Sequence, residues 1–210
     1  MAARHNYSEQ IHSYLSLRKA IGWIGILLPF TLMLGVLVIF RGNPVRISIS
    51  MYYYTGMRDV LVGALCAIGL FLFFYRGYSK WDNWAGNIAG FFALGIALFP
   101  TNETGLYDVS GIIHFISATI FFLILACFSL FIFTRKGSDP TRQKLKRNRI
   151  YITCGSLMLG ALLSIAIFFH FFAQSHPHSS FVFWAETIAL ISFGVSWLTK
   201  GETFYKDKKR

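Results

Sequence analysis

A chain of 210 residues with 55% hydrophobic and only 14% charged residues, and a mean hydropathy of +0.53, is too poor in charge for a soluble domain, where about a quarter of residues are charged. The same composition excludes a disordered segment, a disulfide scaffold, a collagen-like fibre and a coiled coil. The formal net charge of +11, from 20 Lys+Arg against 9 Asp+Glu, raises nucleic acid and anionic surfaces as partners, and the placement of the charges decides between them.

In chain order, a polar leader (1–19) precedes six apolar runs at 20–40, 60–75, 84–99, 112–133, 150–172 and 181–198, and a basic tail (199–210) follows. A bilayer core of about 30 Å needs about 20 apolar residues. The first, fourth and fifth runs reach that length, and the second, third and sixth need flanking residues to complete a span. Backbone polar groups in lipid must be satisfied within the segment or in a closed barrel. Runs of 16–23 residues are too long for barrel strands of about ten alternating residues. The predicted fold is therefore an all-α polytopic membrane protein, a bundle of six transmembrane helices.

The first run is long, contains Pro29 and ends at Phe40-Arg41. It reads as a retained helix with a kink at the proline, which lacks a backbone donor, and not as a cleaved signal. Small residues recur inside the runs, at Gly22 and Gly25, Gly86 and Gly90, and Gly155 and Gly160. These are expected where helices approach closely.

Alternating the connections places 17 of the 20 basic residues on one side and leaves Arg41, Arg46 and Arg58 on the other. With the acids included, the sides carry +12 and −1, together the +11 of the chain. The positive-inside rule then puts both termini in the cytoplasm, across an inner (plasma) membrane. The densest basic stretch, Arg135 to Arg149, joins two spans and contains Gly137 and Pro140. It is too short for a nucleic-acid module and reads as a topogenic loop against anionic headgroups. The expected partners are membrane lipids, with anionic headgroups at the cytoplasmic face. No nucleic acid is expected, and self-association stays open. Cys66, Cys127 and Cys154 fall in three different runs with no paired spacing and read as small apolar fillers.

Polar residues collect on the outer side. Ser48, Ser50 and the tyrosines Tyr52, Tyr53 and Tyr54 occupy the first outer loop, Arg58 and Asp59 open the second run, His114 opens the fourth, and His170 nears the outer end of the fifth. Glu186 lies five residues into the sixth run, about 7 Å below its outer end at 1.5 Å per residue. A carboxylate at that depth is costly, and a simple anchor has no need of it. It points either to an outward-facing polar pocket walled by the second, fourth and sixth helices, or to a structural lock with Arg58 or His114.

The pocket reading assigns ligand contacts to Arg58, Asp59, His114 and Glu186, with Ser48, Ser50 and Tyr54 beside them. Arg58 suits a phosphate or carboxylate headgroup. The function this supports is binding of a lipid or other amphipathic molecule. An enzymatic alternative is a membrane-embedded hydrolase or transferase acting on lipid headgroups, with His114 as general base and Asp59 or Glu186 as orienter or ligand. A Ser/His/Asp version would draw on Ser48 or Ser50, though no nucleophile-elbow spacing is present. A second alternative is a small-molecule or proton-coupled transporter. The inner halves of the runs are almost wholly apolar, so no continuous relay is visible.

His114, His170, Asp59 and Glu186 are zinc-type ligands, but neither they nor His176 and His178 have zinc-site spacing, so no metal is expected. No cofactor is expected either, because the chain has no phosphate-cradling loop or dinucleotide fingerprint. Asn102-Glu103-Thr104 matches an N-glycosylation acceptor on the outer side.

Three patches carry a resemblance: residues 48–63 (Ser-Ile-Ser-Met-Tyr-Tyr-Tyr-Thr-Gly-Met-Arg-Asp-Val-Leu-Val-Gly), residues 111–122, which open on Gly-Ile-Ile-His, and residues 183–202, which contain Phe-Trp-Ala-Glu and Ser-Trp-Leu-Thr-Lys-Gly-Glu. Together they resemble a group of uncharacterised bacterial six-span membrane proteins. The outline of an outer serine, a fourth-helix histidine and a last-helix glutamate is more distantly similar to the family of autophagy-modulator and GPI-anchor-remodelling membrane proteins. The resemblance implies six spans and a tie to lipid, and supplies no reaction. The membrane metal hydrolases that include alkaline ceramidases also resemble the chain in using Ser, Asp and His near one face. Their late His-x-x-x-His is broken here, since Gln174 stands four residues after His170.

Overall fold

The computed structural model describes residues 2–102 and 108–206, with side chains from residue 14 onward. Glu103 and Thr104 of the glycosylation triplet, Asp207, Lys208, Lys209 and Arg210 of the tail, and the side chains of Arg4 and Glu9 lie outside the described residues. The described residues form six α-helices: α1 Ala2–Val38, α2 Arg58–Phe74, α3 Lys80–Leu98, α4 Val109–Cys127, α5 Arg142–Phe171 and α6 Phe181–Lys200. A 3₁₀ turn, Ser50–Tyr54, lies in the α1–α2 loop, and a π turn, Phe128–Ile132, extends α4. Among the described residues there is no strand.

Two helices run well past their apolar cores. α1 takes in most of the polar leader and continues through Pro29. No glycine or other proline interrupts residues 2–21, so nothing in the sequence stops the backbone ladder. α5 begins at Arg142, inside the basic stretch, where the Thr141 hydroxyl caps the N–H of Lys144. α3 opens on a capping box between Ser79 and Asp82, and Asp108 caps α4 through the N–H of Gly111.

Four stretches, Tyr14–Val38, Val109–Ile132, Arg142–Phe171 and Phe181–Lys200, are long and apolar enough to cross a membrane. α2 has 17 residues, a rise of about 25 Å. α3 has 19 residues but carries Lys80, Asp82, Asn83 and Asn87 in its first half.

Each helix packs on its neighbour in the chain, and α6 packs back on α1, so the six close into a ring. Small residues allow two of these contacts. A Cβ on Gly194 of α6 would collide with the carbonyl of Gly22 on α1, and a Cβ on Gly90 of α3 would lie 2.7 Å from the carbonyl of Gly69 on α2. Gly25, Gly86 and Gly155 are also filled by neighbouring helices, whereas Gly160 faces open space and takes no part in packing.

The interior divides into two apolar clusters. At the end where α6 reaches Lys200, Tyr75, Phe128 and Phe133 meet the ring of Trp197 at 5.3–6.0 Å. At the opposite end, Leu28, Leu32, Leu61, Leu65, Phe183 and Leu190 surround Ile49, Tyr52 and Met57 of the α1–α2 connection. That connection is thus a plug folded into the mouth of the ring.

Candidate functional site

The plug is fixed by its own hydrogen bonds and by those to the helices. Its Ile47 carbonyl accepts from the N–H of Phe183 at 3.0 Å, at the start of α6. The Tyr52 hydroxyl donates to the Pro44 carbonyl. Burial pushes that phenol up to about 12, so it stays a neutral donor, although Arg46 nearby pulls the other way. Ser50 and Ile49 are thereby held against α4 and α6.

Three polar side chains distant in sequence converge at this point. The Ser50 hydroxyl lies 2.8 Å from Nε2 of His114. Nδ1 of His114 lies 2.7 Å from the carbonyl of Phe99, at the end of α3. A carbonyl only accepts, so Nδ1 carries the proton, and in the neutral ring Nε2 then accepts from Ser50. The carboxylate of Glu186 accepts from the N–H of Ile49 at 2.6 Å. It therefore holds the residue that precedes Ser50.

The cluster stands where two cavities meet. One, of about 50 Å³, is lined mainly by apolar residues of α1, α2, α3, α4 and α6. The other, of about 200 Å³, lies among α4, α5 and α6. Ser50, His114 and Glu186 line both, together with Ala118 and Phe122. Phe115 and Phe169 line the larger cavity and are also partly exposed. Their rings meet edge to face at 5.9 Å and form part of its boundary with the exterior.

Of the residues singled out in the sequence, Ser50, His114 and Glu186 come together, and Ser48 lines the larger cavity beside them. Arg58 and Asp59 are exposed and line neither cavity. The Arg58 guanidinium lies over the ring of Tyr53, 4.8 Å from its centroid, and Asp59 falls on the side of α2 away from the inward-facing Leu61. The lock expected for Glu186 is made with the Ile49 backbone instead of a cation. Tyr54 is exposed and donates to the Thr101 carbonyl, while its neighbour Tyr53 reaches the smaller cavity. The walls are broader than the expected second, fourth and sixth helices, since α1, α3 and α5 contribute too. His170 is exposed with its ring against Phe171, and His176 bonds its neighbour Ser175. Among the described residues, no three His, Cys, Asp or Glu side chains are grouped to hold a metal ion.

Asp82 is a buried polar residue outside the expected site. It is 1% exposed, ahead of the apolar run of α3. Its carboxylate accepts from the Ser79 hydroxyl at 2.9 Å, the Tyr78 N–H at 2.8 Å and Arg135 at 2.8 Å. Burial alone would push the carboxyl up, but these donors together hold it below its ordinary value. The signal was present: Ser79-x-x-Asp82 is a capping-box spacing directly before an apolar run.

No family model, curated protein or solved structure matches the chain.

Proposed function

We propose that this is a six-span protein of an inner membrane, with both termini in the cytoplasm, that binds a lipid or other amphipathic molecule in an outward-facing pocket. Ser50, His114 and Glu186 would meet the polar end, and the two cavities would take the beginning of the apolar part. The observation that carries this reading is the convergence of those three side chains on the boundary of two apolar cavities. The larger, at about 200 Å³, is below the roughly 300–1,000 Å³ of sites that enclose a whole small molecule. The ligand would therefore be held by one end while the rest lies in the bilayer.

Six spans are supported by apolar residues exposed on the two shorter helices. Leu70 and Phe74 of α2 and Phe91 and Leu98 of α3 are 54–72% exposed, a distribution suited to lipid and costly in water. The resemblance to the bacterial six-span group agrees with this count.

Native mass spectrometry of the purified protein tests the binding. Wild type is expected to carry a copurified lipid, with occupancy falling severalfold in Glu186→Gln and in Ser50→Ala. Absence of lipid from wild type and variants alike would refute the proposal.

One observation favours a second reading, hydrolysis or acyl transfer on a lipid headgroup. The Ser50–His114 hydrogen bond, with Nδ1 tied to Phe99, is the tautomer a general base needs. As Ser50 Oγ attacks an ester carbonyl, its proton would pass to Nε2 and then to the alcohol that leaves as the ester C–O bond breaks, and water or a second alcohol would take the acyl group from Ser50. A fluorophosphonate probe should then label wild type and not Ser50→Ala. No labelling of wild type leaves the cluster a binding site.

A further inference from the structure

The inner end of the ring holds a different and larger cavity, of about 560 Å³, within the range of small-molecule sites. Six cations line it: Arg18 of α1, Arg135 and Lys136 after α4, Lys144 and Arg147 of α5, and Lys200 at the end of α6. Two carboxylates, Asp139 and Glu202, stand against them. Topology alone explains the basic residues that follow α4, because they hold that connection in the cytoplasm. It does not explain why Arg18 and Lys200, from opposite ends of the chain, turn into the same space.

Two of these cations, Lys200 and Arg18, are held by uncharged groups. Lys200 donates to the hydroxyl of Tyr78 at 2.7 Å. The Arg18 guanidinium sits 4.3 Å from the ring centroid of Tyr14, and its Nε is buried with no acceptor among the described residues. A buried N–H donor without an acceptor is costly, and six cations around one space repel one another. An anion in the cavity relieves both. The start of α5 is at the rim through Thr141, which adds the positive end of a helix dipole.

We propose that this inner cavity binds a phosphoryl group, carried either by the headgroup of an anionic lipid from the cytoplasmic leaflet or by a free phosphate ester. With Arg135 paired to Asp82, five further cations stand against two carboxylates in the lining, an excess that calls for more than a single negative charge. The planar fork of Arg18, whose Nε has no acceptor among the described residues, matches phosphate oxygens in pairs. The site is independent of the outer cluster, from which it is separated by the aromatic packing around Trp197.

The full chain in a neutral detergent tests this through its unfolding temperature at constant ionic strength. The probes are inorganic phosphate, dihexanoyl phosphatidic acid and dihexanoyl phosphatidylcholine. A ligand of the native state raises the midpoint in a concentration-dependent way. Stabilisation by phosphate and phosphatidic acid alike supports the site and assigns it to the phosphoryl group itself. Stabilisation by phosphatidic acid alone supports it with a lipid headgroup as the source. Apparent affinity for the effective probe should fall at least tenfold in Arg18→Gln. It should fall at least threefold in Lys136→Glu, an exposed position where folding is not at risk. Stabilisation by none of the probes, equal stabilisation by phosphatidylcholine, or an undiminished response in Lys136→Glu would overturn the proposal.

Discussion

The Asp82 carboxylate joins three segments: the α2–α3 turn through Ser79 and Tyr78, the first turn of α3, and Arg135 beyond α4. Its worth lies mainly in the hydrogen bonds from the turn, because Arg135 is 46% exposed and a solvated ion pair contributes only about 0–1 kcal/mol. Asp82→Asn should therefore cost about 2–3 kcal/mol, the loss expected when charge-assisted bonds to a buried acceptor are removed. Arg135→Gln should cost less than about 1 kcal/mol. Thermal unfolding in detergent measures both. The sign of the pH dependence follows from the lowered pKa. The carboxylate's contribution is complete above about pH 4, the ordinary Asp range, and is lost as the pH falls through the lowered value. The gap in unfolding midpoint between wild type and Asp82→Asn should be full at pH 7 and close in strong acid.

His114 and Ser50 belong to the same scale. Ser50→Ala leaves Nε2 of a buried histidine without its partner, so a cost of about 1–3 kcal/mol is expected, along with the loss of ligand. The sequence pointed to Ser50, His114 and Glu186 because polar residues at the mouth of an apolar run need a reason. It also pointed to Arg58 and Asp59, which are exposed. Depth along a helix can be read from a count of residues, whereas the direction a side chain faces depends on the neighbour it packs against. α2 turns Leu61, Leu65, Ile68 and Leu72 inward, and Asp59 is on the other side.

At the scale of the helices, hydropathy located all six, and their ends came from other physics. α1 and α5 extend into polar sequence because a helix is propagated by backbone hydrogen bonds and good helix formers, with burial needed only over part of its length. The glycine pairs divide in the same way. Gly22, Gly25, Gly86, Gly90 and Gly155 are packed, and Gly160 is not, a distinction set by rotation about the helix axis. Two substitutions test it. Gly194→Ala should separate α1 from α6 and destabilise by more than about 1 kcal/mol, since backbone opposes the new Cβ. Gly160→Ala, in a helix interior with open space outside, should be neutral or stabilise by about 0.5–1 kcal/mol. Similar effects of the two would contradict the ring as described.

The whole molecule is inverted relative to a soluble protein. Large apolar side chains cover the outside, including Phe74, Trp81, Phe91 and Phe171 at 64–81% exposed. Polar and charged groups collect at the two ends. The end that carries Lys200 has the basic cavity, and the opposite end has the plug with its three convergent polar side chains. This asymmetry gives the +11 its structural meaning, since most of the basic residues gather at the end opposite the candidate site. Accessibility of Ser50 from each side of the membrane decides whether the pocket faces outward. In a background with Cys66, Cys127 and Cys154 replaced, Ser50→Cys is treated with a membrane-impermeant thiol reagent in sealed vesicles of known orientation. His178→Cys serves as the outer control and Lys206→Cys as the inner one. Ser50→Cys is expected to react from the same side as His178→Cys, and Lys206→Cys only after permeabilisation. Reaction of Ser50→Cys only from the Lys206 side, or from neither side, would contradict an outward-facing pocket.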